Sequence, residues 1–100
     1  MFENIRDKIR ELVRSLDYVM SLHAEEEMEN DSLSILDIES VLFSGKITER
    51  QLEPLTRESK YLVCGRTLDD LEVTVVAKLS LMGKLVIITV FKTEGDEYEH

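Results

Sequence analysis

The chain has 100 residues, 43% of them hydrophobic, a net charge of −9 and a single cysteine. That length supports one core and excludes two, and no apolar run approaches the length that crosses a bilayer. One cysteine excludes an internal disulfide and a multi-cysteine zinc site, and the acidic balance excludes long-range attraction to nucleic acid.

In the first segment Phe2, Ile5, Ile9, Leu12, Val13 and Leu16 recur at the spacing of one helix face, with charged residues on the others, which predicts an amphipathic helix over 2–15. The expectation is that its apolar face packs within its own domain; the other use of such a face is to form a homodimer. Glu3, Arg6, Asp7 and Lys8 stand where a secretory leader would be apolar, so a cytoplasmic protein is expected. Residues 15–45 then hold eight acids and no lysine or arginine. Tyr18 to Ser21 reads as a short extended link, and a second helix is expected over 22–31, its early acids suiting the positive end of the helix dipole. A third, over 34–44, has clear punctuation. Ser34 followed by Asp37 is an acidic variant of the capping box, Leu33 can staple onto Ile38, and Gly45 marks the stop.

From Lys46 the hydrophobic period becomes two. Lys46 to Leu52 reads as an irregular first strand, followed by a loop around Pro54, and three stronger strands follow over 60–67, 71–79 and 85–92. Their hairpin-length connections predict an antiparallel meander. The fold class is therefore α+β, with the helices on one face of a mainly antiparallel sheet of three or four strands. Val73, Val75, Ala77 and Leu79 form the apolar side of the strand over 71–79, opposite a mixed side with Lys78. Cys64 reads as a small buried strand residue, and Met20, Met28 and Met82 as core filler. The acidic tail over 93–100 reads as a solubilising surface.

The chemistry-bearing residues gather around Ser21 to Asp31. His23, Glu27 and Asp31 fall at i, i+4 and i+8, on one helix face. A histidine beside a carboxylate can serve acid–base catalysis, or simply begin a helix. Two metal ligands without a third make a weak site, so no metal and no cofactor is expected. On the strands, Lys60, Arg66, Lys78 and Thr89 can meet a substrate or partner on the mixed face, and Tyr61 can stack on a base or fill the core.

The ordered series Ser21-Leu22-His23-Ala24, Glu27-Met28, Asp31, Ser34, Asp37-Ile38-Glu39, Gly45-Lys46-Ile47, Tyr61 to Thr67 and Leu85 to Phe91 resembles a widespread family of small bacterial domains of unknown function. The resemblance covers residues 17–92. It implies a fold related to the RelE and BrnT toxins, and a gene beside an antitoxin with an MqsA-type zinc finger. It further implies the toxin component of a type II toxin–antitoxin system and metal-independent RNA cleavage. His23, Glu27, Arg66 and Lys78 are then the catalytic candidates, and Tyr61, Lys60 and Thr89 the RNA-binding ones. Many relatives carry arginines where this chain has Glu27 and Asp31, whereas another branch shares its acids. A second reading therefore stands beside the first: a noncatalytic interaction module of the same fold, which receives an extended or helical partner segment.

Overall fold

The computed structural model describes residues 3–93, so Phe2 and the tail from Glu94 lie outside the described residues. Three helices, α1 (Glu3–Arg14), α2 (Leu22–Asn30) and α3 (Ile35–Ser44), accompany five strands: β1 (Tyr18–Met20), β2 (Lys46–Leu52), β3 (Ser59–Arg66), β4 (Glu72–Leu79) and β5 (Leu85–Lys92). The sheet order is β1-β5-β4-β3-β2, antiparallel from β2 to β5, with β1 parallel to β5. The α+β class and the meander are as expected. The extra strand is Tyr18–Met20, anticipated only as an extended link, which pairs with Leu85–Ile87.

One face of the sheet carries the core. Val63, Val73, Val75, Ala77, Ile87 and Val90 pack against Ile9, Leu12 and Val13 of α1 and Ile38, Val41 and Leu42 of α3. The apolar face of α1 is thus used inside the domain. Ser34 and Asp37 form the capping box, each bonding the other's backbone N–H, and the flanking Leu33 and Ile38 are both buried. Gly45 ends α3, but in an extended conformation with φ −81° rather than a left-handed one. Crowding explains the glycine: a Cβ at Gly45 or at Gly65 would stand 2.5 Å from the Val41 carbonyl oxygen. Helix and strand meet there backbone to backbone, which sets the height of α3 over β3.

Two expectations fail on position. Met82 lies in the β4–β5 turn and is 90% exposed, because the turn around Gly83 points away from the sheet; Met20 and Met28 do pack against the core. Cys64 is half-buried on the face away from the helices rather than in the core. No described helix is long and apolar enough to cross a membrane.

Tyr18 ties β1 to α3. Its hydroxyl donates to Glu39 Oε2 at 2.5 Å, and burial, followed by this carboxylate, raises its pKa to about 12. The folded state therefore holds the phenolic proton more tightly than an unfolded chain, where tyrosine titrates near 10. Its contribution to stability should be intact below about pH 10 and lost as pH rises from there through 12. Chemical denaturation of the chain and of Tyr18→Phe between pH 9 and 12 checks this. The midpoint of the unmodified chain should fall more steeply, and equal slopes would remove the linkage.

Candidate functional site

Ser21 begins the site. As the N-cap of α2 its hydroxyl accepts from the Ala24 N–H at 3.0 Å, and the same hydroxyl donates to the Ile88 carbonyl at 3.0 Å. Its own N–H donates to the Ile87 carbonyl at 2.9 Å. β1 covers the edge of β5 only as far as Ile87, so α2 continues where the strand stops. Two turns on, the Val90 N–H donates to Glu27 Oε1 at 2.9 Å. A side-chain carboxylate here takes the place that a neighbouring strand's carbonyl would fill, closing an otherwise open edge.

His23 stands between these two anchor points. Its Nε2 lies 3.3 Å from Glu27 Oε2, and its side chain is 65% exposed. Glu27 thus uses one oxygen on the sheet and the other on the histidine. Among the described residues no group of three histidine, cysteine, aspartate or glutamate side chains converges as a metal site would require.

The register decides what the opposite face carries. Tyr61 and Val63 alternate with Lys60, Leu62, Cys64 and Arg66, and the former pair is buried on the helix side. Tyr61 is 4% exposed, so it fills the interior and offers no ring face for a base, which corrects its expected stacking role. Lys60 pairs directly with Lys78, and Arg66 with Glu72. In β5 a register shift at Ile88 changes the alternation, leaving Thr89 opposite Val76 on the face away from the helices. Lys60, Arg66, Lys78 and Thr89 therefore do share one face.

They do not share one centre. Arg66 lies six residues along β3 from Lys60, about 20 Å at strand rise. There it holds Asp70, with Nη1 donating to the Asp70 carbonyl at 3.2 Å. Lys60 and Lys78 instead line a groove of about 400 Å³ with Ser21, Val86, Ile88 and the turn between β2 and β3. Lys60 Nζ is 2.8 Å from Glu53 Oε1, and Lys78 Nζ donates to Glu58 Oε1 at 3.1 Å. Lys60, which donates a hydrogen bond, and more weakly Lys78 hold the Glu53 carboxyl below the usual carboxylate range. These two glutamates escape a sequence reading because a turn has no periodicity; their placement either side of Pro54, Leu55 and Thr56 is the only signal. Cys64 Sγ donates to Glu72 Oε2 at 3.1 Å, and burial, reinforced by that carboxylate, pushes its thiol up, so it is not poised as a nucleophile.

The arrangement defines an α+β domain whose β5 edge is sealed by an acidic helix and whose helix-free face carries a lysine-lined groove ending at that helix's cap. The chain belongs to the family described as a domain of unknown function, DUF4258, whose model matches residues 20–92. No curated protein and no solved structure gives a significant match.

Proposed function

We propose that the chain is the toxin component of a type II toxin–antitoxin pair, RelE-like in fold, which cuts RNA without a metal and is restrained by an antitoxin of the MqsA zinc-finger type. The observation that supports this reading most is the shared groove: Lys60 and Lys78 line it together with Ser21, the cap of the helix that carries His23. In that reading His23 takes the proton of a ribose 2′ hydroxyl, with Glu27 orienting the imidazole. The 2′ oxygen attacks the adjacent phosphorus, the bond to the 5′ oxygen breaks, and the departing oxygen takes a proton from water. Lys60 and Lys78 offset the charge that builds on the phosphate, and the positive end of α2 favours the same anion. Arg66 is too far along the sheet to act on that phosphate and is given no step. Induced expression should arrest growth and leave transcripts ending in 2′,3′-cyclic phosphate. Unchanged growth and intact transcripts from a folded protein would overturn it.

One observation favours the second reading, a noncatalytic interaction module. Lys60, Lys78 and Arg66 each sit against a carboxylate of the chain itself. On that reading His23→Ala leaves partner binding unchanged and removes no activity, and a measured loss of RNA cleavage in the variant would exclude it.

A further inference from the structure

Lys60 and Lys78 are direct cross-strand partners, and like charges placed opposite each other on a sheet repel. Here the repulsion is met by two carboxylates from a single turn, Glu53 and Glu58. That turn closes on itself, with the Glu53 N–H donating to the Glu58 carbonyl at 2.9 Å and the Arg57 N–H to the Glu53 carbonyl at 2.8 Å. It has little hold on the core. Leu55 is 97% exposed, Pro54, Thr56 and Arg57 are exposed, and Arg57 sits at φ +67°, a conformation that costs a non-glycine residue free energy. The two ion pairs are therefore the main side-chain attachments of the turn to the sheet. The Lys60–Glu53 pair, with side chains 31% and 41% exposed, is weak, the Lys78–Glu58 pair, 31% and 16% exposed, is the firmer of the two, and a segment with few buried apolar contacts opens locally at low cost.

We infer that the Glu53–Glu58 turn is a built-in plug: its carboxylates occupy the lysine pair where phosphates of a single-stranded RNA bind, and the groove becomes competent when the turn lifts. The inference rests on the groove being the RNA site proposed above, and it explains why an anion site in this chain has no unpaired lysine. Val86 and Ile88, the apolar strand residues that line the same groove, then become the surface on which a base rests.

The test is binding of a fluorescein-labelled 2′-O-methyl oligouridylate, which cannot be cleaved through its 2′ oxygen, to the full chain at low salt by fluorescence anisotropy. Glu53→Gln with Glu58→Gln keeps the shape and one acceptor oxygen of each side chain while removing both charges. It should bind the oligonucleotide about tenfold more tightly than the unmodified chain. The gain should vanish when Lys60→Gln and Lys78→Gln are added. Glu53→Gln alone, at the exposed rim, should show part of the gain and serves if the double variant unfolds. A folded variant that binds no better, or a gain that survives loss of the lysines, overturns the plug. The two readings fail separately. Cleavage by the unmodified chain without a binding gain removes the plug alone, and a binding gain without any cleavage upholds the plug and removes the cleavage step.

Discussion

If the chain cuts RNA as proposed above, His23→Ala is expected to lower that cleavage by about 10²- to 10⁴-fold, the usual contribution of a general base, while leaving the thermal melt almost unchanged. The separation follows from how the residue is held. Its side chain is largely exposed, and its one polar contact among the described residues is Glu27 Oε2 at 3.3 Å. Losing the imidazole leaves Glu27 Oε1 on the Val90 N–H and Ser21 on the Ile88 carbonyl, so the junction of α2 with β5 stays closed. A surface substitution of this kind usually changes stability by less than about 0.5 kcal/mol. Cleavage of a labelled single-stranded RNA, read beside a calorimetric melt, checks both halves. A variant that melts like the unmodified chain and cuts as fast removes His23 from the chemistry.

How much of this was legible in the sequence depended on the range of the forces involved. The start of α3 was readable because Ser34 and Asp37 satisfy each other's backbone within four residues. The inward side of β4 was readable because Val73, Val75 and Ala77 alternate without interruption. β1 was not, because three residues carry no period of their own and become a strand only against the edge that Leu85–Ile87 presents. Thr89 does lie on the mixed face where it was expected, but periodicity alone does not put it there. It shares its parity with the buried Leu85 and Ile87, and strict alternation would turn it inward; the irregularity at Ile88, which depends on pairing with β4, turns it outward. For the site, His23 and Glu27 were visible as an i, i+4 pair, and the structure joins them. What Glu27 does on its other side was hidden, since its partner lies sixty-three residues away. The carboxylates over Lys60 and Lys78 were hidden for the same reason: a turn folds onto a face that only the register defines.

Glu27→Ala is expected to cost about 2 kcal/mol of stability, whereas Glu27→Gln should cost less than about 1. The difference lies in the Val90 N–H. Alanine leaves that donor at the β5 edge with nothing to accept it, while the glutamine carbonyl can keep the bond at the same reach. Urea denaturation midpoints of the two variants measure the difference, and equal losses would mean that the bond contributes nothing. The pair also divides structure from chemistry. Glutamine keeps the edge sealed but removes the charge that faces His23, so on the cleavage reading it should lose activity without losing much stability. Alanine should lose both, and its bared edge should favour self-association, visible in light scattering. Glu27→Arg probes the same bond from the other side. A guanidinium has no acceptor and cannot replace the carboxylate on Val90, so this variant should be at least as unstable as alanine. The carboxylate that meets His23 with one oxygen is, with the other, the closure of the β5 edge.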